Sequence, residues 1–222
     1  MGEIFSVYFA GELFDHKDLI GNALLAMQIE KNSKGLYHCI LPQNLEQSTE
    51  RAVDIRNQDL RQVIECDLSL FNFDGADLDS GTVVEFMVAK FLDIPSVIVR
   101  SDFRSSGDQA KDGDDWNLMC SFYPRTALVQ FNAMAFYQKA VRESDSLDDA
   151  MNRLYSEIAS LLIENLDAVR NLAPLFKGSK RQLEDLYRWA LRFPGSGLET
   201  LCSESSFVER IVAAKIEKKI YP

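Results

Sequence analysis

Apolar and polar positions follow two alternating rhythms through the first 131 residues. Short apolar runs at residues 4–10, 36–41, 68–73, 96–100 and 127–131 have the length of buried strands. Turn formers adjoin most of them: Gly11 and Pro42 end the first two, Asp74-Gly75 follows the third, and Pro95 precedes the fourth. Between these runs the apolar residues recur at helical spacing. Residues 19–29 carry Leu19, Ala23, Ala26 and Met27, and residues 49–65 carry Ala52, Ile55, Leu60, Val63 and Ile64. Residues 81–92 place Val84, Met87, Val88 and Phe91 on one face. Strands alternating with helices predict an α/β domain built on a parallel sheet. Residues 101–116 are polar, with Gly107 and Gly113, and read as a long loop of the kind that forms lids or stays disordered.

Beyond residue 132 the strand rhythm stops. Leu147, Met151, Leu154, Ile158 and Leu161 recur at steps of four and three, and Val169 and Leu172 extend the stripe. Ser146-Leu-Asp-Asp149 approximates a helix start, while Ser179-Lys-Arg-Gln182 and Ser206-Phe-Val-Glu209 fit the capping-box pattern. Three or four helices are expected, divided at Pro174 and at Pro194-Gly195. The chain therefore divides into an α/β domain, residues 1–132, and an all-helical C-terminal extension, residues 133–222. The apolar stripe suits packing against the sheet domain or another subunit better than a separate partner-binding module.

Composition narrows the function classes. A net charge of −10 argues against a nucleic-acid polymer or an anionic membrane as the main partner. No apolar run approaches the roughly 18 residues that span a bilayer, and the N-terminus lacks a signal-peptide pattern. Cys39, Cys66, Cys120 and Cys202 are scattered, with only His16 and His38 to join them, so no metal site is expected. Reduced thiols in a cytoplasmic protein fit better. Neither a Gly-x-Gly-x-x-Gly nor a Gly-x-x-x-x-Gly-Lys-[Ser/Thr] motif occurs, which counts against dehydrogenases, kinases and ATPases.

The candidate chemistry gathers at one junction. The run at 68–73 leads through an acidic loop into the helix opened by Gly81-Thr82, and Asp74, Asp77, Asp79 and Glu85 all fall there. In open parallel sheets, ligands bind at such carboxyl ends of strands. The plainer reading is a solvated acidic loop, and it suits Asp74 and Asp77 best.

Four stretches agree in order with one family. Tyr8-Phe-Ala-Gly11 with Phe14, then Asp54-Ile-Arg-Asn-Gln-Asp59-Leu followed by Cys66-Asp67, are the first two. Asp79-Ser-Gly81-Thr-Val-Val-Glu85 and Trp116-Asn117-Leu118-Met119 complete the set. Together they resemble the nucleoside 2-deoxyribosyltransferases over residues 4–131. The resemblance implies a flavodoxin-like five-stranded parallel sheet flanked by helices. It implies transfer of 2-deoxyribose between nucleobases, with nucleosides and free bases as small-molecule partners and no cofactor. Glu85 would be the nucleophile, Asp59 and Asp79 the proton-handling groups at the base, and Tyr8 the group that orients Glu85. Gly11, Phe14, Gly81 and Met119 would line the substrate. Asn117 would reach into a neighbouring subunit's site, so a homo-oligomer, a dimer or a multiple of dimers, is expected. The plain alternatives are a strand tyrosine at Tyr8, a solvated helix residue at Asp59, a helix cap at Asp79 and a turn residue at Asn117. N-glycoside hydrolysis of nucleosides or deoxynucleoside monophosphates is the alternative activity, and a nucleoside-sensing module is a third reading. Glu12 and Asp15 in the first loop would repel a 5′-phosphate, which favours nucleosides over nucleotides.

Overall fold

A computed structural model describes residues 3–45, 52–75, 77–102, 117–204 and 206–222. The predicted helix start at 49–51, most of the 101–116 loop and Trp116 lie outside the described residues. The five predicted strands form at Phe5–Ala10 (β1), Tyr37–Ile40 (β2), Leu68–Asn72 (β3), Ser96–Arg100 (β4) and Thr126–Gln130 (β5). They make one sheet in the order β2-β1-β3-β4-β5, and every neighbouring pair is parallel. β3 and β4 are apolar throughout except at Ser69, Asn72, Ser96 and Arg100, because both of their faces are covered.

Helices α1 (His16–Asn32), α2 (Ala52–Glu65) and α3 (Ser80–Phe91) are the crossovers. Right-handed connections place α1 on one face of the sheet and α2 with α3 on the other. The strand order reverses between β1 and β3, which opens a crevice at their carboxyl ends.

One predicted face is corrected. Val84, Met87 and Phe91 are 52%, 40% and 46% exposed, whereas Thr82, Phe86, Val88 and Ala89 are buried. Phe86 meets the rings of Phe71 and Phe73 edge-on, with centroids 5.2 and 5.8 Å away. Since α3 is apolar nearly all round, two stripes compete for the sheet, and the one carrying Phe86 wins.

Five helices follow β5 among the described residues, more than the three or four expected: α4 (Ala133–Arg142), α5 (Leu147–Arg170), α6 (Lys180–Arg192), α7 (Leu198–Leu201) and α8 (Phe207–Glu217). The capping box at Ser179 and Gln182 forms, whereas the Ser206 side chain makes no cap bond. α5 lies along α1 and against β4 and β5. Asn32 Nδ2 donates to Ser156 O and Oγ, and Gln28 Nε2 donates to Asn152 Oδ1, which explains polar residues on the inner side of α1.

α6, α7 and α8 gather beside α2. Their anchors are polar and charged side chains, most of which donate to backbone carbonyls. Arg56 Nη2 reaches Pro194 O and Gly195 O, and Asn57 Nδ2 reaches Ser196 O. The fully buried Lys215 donates to Ile64 O at 2.8 Å and to the Tyr187 hydroxyl at 3.0 Å. Arg125 Nη2 holds Ile220 O, and Lys218 pairs with Asp67 at 2.6 Å. No helix among the described residues is long and apolar enough to cross a membrane.

Candidate active site

Tyr8 lies near the end of β1 with its side chain fully buried. Its hydroxyl donates to Glu85 Oε1 at 2.7 Å. Glu85 stands one turn into α3, whose start is fixed by Asp79. Asp79 Oδ2 accepts from Thr82 N at 2.7 Å and from Thr82 Oγ1 at 2.8 Å, so the capping role is present. Gly81 suits that cap, because a Cβ there would stand 3.1 Å from Asp79 Oδ2. Gly11 is needed for a different reason: a Cβ there would meet Asn72 Cβ, at the end of β3, at 3.0 Å.

Electrostatics couples these groups. Burial pushes the Glu85 carboxyl up to about 7, Asp59 and Asp79 push the same way, and the Tyr8 hydrogen bond opposes them. Burial raises Asp59 to about 6. Tyr8 is raised well above its ordinary value, first by burial and then by the charges of Glu85 and Asp59, so it remains a donor. A buried tyrosine and two carboxyl groups of elevated proton affinity therefore act on one another, with a third carboxylate at the helix cap. Such a set can hold one carboxyl protonated while another is ionised.

Other predicted residues lie exposed or in a turn. Phe14 is 77% exposed and Met119 is 76% exposed. Asn117 caps a short 3₁₀ turn, with Oδ1 accepting from Met119 N and its carbonyl accepting from Ser121 Oγ. Its described hydrogen bonds are thus local, and none reaches Tyr8 or Glu85.

Asp74 is corrected. It is not loop solvation: its carboxylate accepts from Ser101 N, from Ser101 Oγ at 2.6 Å and from Asp102 N at 2.9 Å. Asp77 is exposed, as a solvated loop residue should be. Arg100, 2% exposed, donates Nη1 to Phe73 O at 2.6 Å and to Gly75 O at 3.4 Å. The loop that delivers Asp79 is therefore held from β4 at both ends of residues 73–75. The sequence signal was slight: a charged residue closing an otherwise apolar strand, followed by a serine. Among the described residues no His, Cys, Asp and Glu cluster has metal-holding geometry.

Three solved structures are similar to the chain. A conserved protein from Enterococcus faecalis V583 is 23% identical, over 74% of this chain and 98% of that one, with a TM-score of 0.47. A 2-deoxyribosyltransferase from Leishmania mexicana is 20% identical, over 68% and 97%, with a TM-score of 0.43. One from the psychrotolerant bacterium Bacillus psychrosaccharolyticus is 16% identical, over 53% and 91%, with a TM-score of 0.39. Among curated proteins none matches the chain. The sequence model described as nucleoside 2-deoxyribosyltransferase matches residues 7–171, which runs from β1 through α5 and 40 residues past residue 131, where the resemblance read from the sequence ends. With nearly three quarters of its length matched, the chain belongs to the nucleoside 2-deoxyribosyltransferase family.

Proposed function

We propose that the protein transfers 2-deoxyribose between nucleobases through a covalent ester on Glu85. The observation that carries this reading is the 2.7 Å hydrogen bond from buried Tyr8 to Glu85 Oε1. It favours the carboxylate anion and leaves Oε2 to act on the sugar. Oε2 forms a bond to C1′ as the C1′–N bond of the donor nucleoside breaks, with the electron pair leaving on the base nitrogen. Asp59 supplies the leaving base with its proton, since burial keeps that carboxyl protonated up to about pH 6. Asp79 accepts or donates at the same base through Oδ1, its other oxygen being committed to Thr82. In the second half, an acceptor base attacks C1′, the ester C–O bond breaks, Glu85 is released as carboxylate, and the surplus proton returns to Asp59. The developing positive charge at C1′ is stabilised by the anion beneath it, the logic of retaining glycoside cleavage.

The working form is an oligomer in this reading. Val84, Met87 and Phe91 lie exposed on α3, and Lys90 Nζ on the same helix donates to Pro124 O and Thr126 Oγ1, bringing residues 117–125 alongside. Met119 and Phe122, 76% and 83% exposed, extend that apolar face. A second copy covering it would bring Asn117 toward a neighbour's site, with residues 1–132 holding the chemistry and the helices from 133 onward bracing the sheet and α2.

The test is mass spectrometry of protein quenched during reaction with deoxyinosine. A deoxyribosyl adduct on the peptide containing Glu85 is expected, and it should be absent from Glu85→Ala. An adduct on another residue would overturn the assignment.

A further inference from the structure

We propose a second ligand site, for a small organic cation with an ammonium group on a compact apolar body, in the cavity between α1, the carboxyl ends of β3 to β5, and α5. The cavity holds about 230 Å³, and neither Tyr8, Asp59, Asp79 nor Glu85 lines it. For scale, an apolar cavity of about 150 Å³ accepts benzene. The lining has two characters: Leu25, Phe131 and Ile158 supply apolar wall, while Asp18, Asn22 and Tyr155 supply polar atoms.

Those polar atoms have unused capacity. Asn22, only 6% exposed, donates Nδ2 to Glu12 O at 3.0 Å, which leaves Oδ1 an acceptor without a partner among the described residues. The half-buried Tyr155 hydroxyl has no hydrogen bond there either, and the Asp18 carboxylate accepts none. Buried polar groups ordinarily find partners, so open acceptors on a cavity wall are places for a ligand's donors.

The charge around the cavity selects the ligand's sign. Asp18 and Asp74 line it, and Glu12 and Asp15 stand near enough to act on them. Burial and then the Asp15 charge push the Asp18 carboxyl up, Asp74 adds to them, and the nearby Lys17 charge offsets them only in part. Lys17 is the cation of the lining, and its Nζ is committed to Asp15 at 3.1 Å. An ammonium would give Asp18 a partner and donate to Asn22 Oδ1, with its apolar body lying against Phe131 and Ile158.

The floor of the cavity joins two loops of the candidate active site. Asn22 holds Glu12 in the loop after β1, and Asn72 Oδ1 accepts from Asp74 N at the root of the loop that carries Asp79. Occupancy would thus brace both loops, but the site itself does not depend on the activity proposed above.

Titration calorimetry with phenethylamine, against its neutral counterpart 2-phenylethanol, tests the site. Saturable one-to-one binding of the amine is expected, with the alcohol at least about tenfold weaker. Asp18→Asn preserves side-chain shape and should weaken the amine by about tenfold or more, and Tyr155→Phe should weaken it measurably. Glu85→Gln should leave the affinity unchanged. Equal binding of amine and alcohol, full affinity in Asp18→Asn, or no saturable binding by the folded protein would overturn the proposal. So would loss of binding in Glu85→Gln, which would put the cation in the candidate active site instead.

Discussion

Tyr8 and Glu85 are 77 residues apart in the chain, and the phenol of the first donates a 2.7 Å hydrogen bond to the carboxylate of the second. The bond crosses from β1 to α3 at the point where the strand order reverses. Hydrogen bonds to charged groups in such settings contribute about 1.5–3 kcal/mol. Tyr8→Phe keeps the ring and removes the donor. Turnover should fall about tenfold to a hundredfold, and Glu85 should become harder to ionise, because the Tyr8 bond opposes the upward push on its carboxyl. Steady-state kcat/KM as a function of pH checks both effects, and an unchanged profile would remove Tyr8 from the mechanism.

The pH profile should be a bell with its limbs assigned in reverse. In the proposed reaction, transfer needs Glu85 ionised and Asp59 protonated, yet burial pushes Glu85 up to about 7 and Asp59 up to about 6. The productive pair is then a minority form, and because the Asp59 charge itself raises Glu85 the two titrate as a coupled pair. Asp59→Asn removes the falling limb and lowers the rate. What remains is a single rising limb at or below about pH 7, since the Asp59 charge no longer opposes ionisation of Glu85. A falling limb that survives this substitution would assign the acid elsewhere.

Glu85 should also weaken the fold at alkaline pH. Its carboxyl is raised from an ordinary 4.5 to about 7, so the folded state binds the proton more tightly than the unfolded chain does. That contribution is fully present below 4.5 and is lost as pH rises through about 7. At one pKa unit per 1.36 kcal/mol, the loss approaches about 3 kcal/mol. Glu85→Gln carries no titration, so its melting temperature should exceed the parent's by several degrees at about pH 8 and by much less at about pH 5. Thermal unfolding at both values checks this, and an equal offset would mean that Glu85 is solvated.

The parts of this fold that were legible in the sequence are those in which one residue type has one use. The strands could be read because residues covered on both faces must be apolar, as in Val97-Ile-Val99. Tyr8, Asp59, Asp79 and Glu85 could be picked out because their spacing matched a known pattern, and β1, α2 and α3 then converge on the switch point. The stripe Val84-Met87-Phe91 misled because α3 offers two apolar faces and only tertiary contact chooses between them. Asp74 was passed over because its partners, Ser101 and Asp102, come 27 and 28 residues later. Lys215 and Arg125 look like surface charge, yet they are 1% and 4% exposed, because each has a carbonyl of a distant segment to hold. Non-local hydrogen bonds leave no period in a sequence.

If Asn117 completes a neighbour's site, two inactive variants should repair each other. Asn117 is bonded only locally in the described part of the chain, on an apolar face that includes exposed Met119 and Phe122. Glu85→Ala lacks the nucleophile, and Asn117→Ala lacks the residue offered across the interface. A mixed dimer contains one composite site with both groups intact, so mixing should restore up to about a quarter of parent activity after random subunit exchange. Exchange followed by native mass spectrometry without any recovery would place Asn117 in its own subunit's site or outside the chemistry.

In the proposed mechanism transfer and hydrolysis share the Glu85 ester, and they differ in what reaches C1′ next. In that mechanism a free base would be held by hydrogen bonds to Asp59 and Asp79, so it would attack at high effective concentration. Water has no such anchor beside a tyrosine with no solvent exposure and a carboxyl raised to about 6 by burial. Transfer should therefore dominate whenever an acceptor base is present. Deoxyinosine with cytosine should give deoxycytidine and hypoxanthine with ping-pong kinetics, the two bases competing for one subsite. Without cytosine, free deoxyribose should appear slowly. Inosine should react far more slowly than deoxyinosine, because a 2′-hydroxyl withdraws electrons from the carbon that becomes positive in the transition state. Product chromatography over a short time course separates the cases. Deoxyribose released equally fast with and without saturating cytosine would make the protein a hydrolase, and equal rates for inosine and deoxyinosine would overturn the deoxyribose preference.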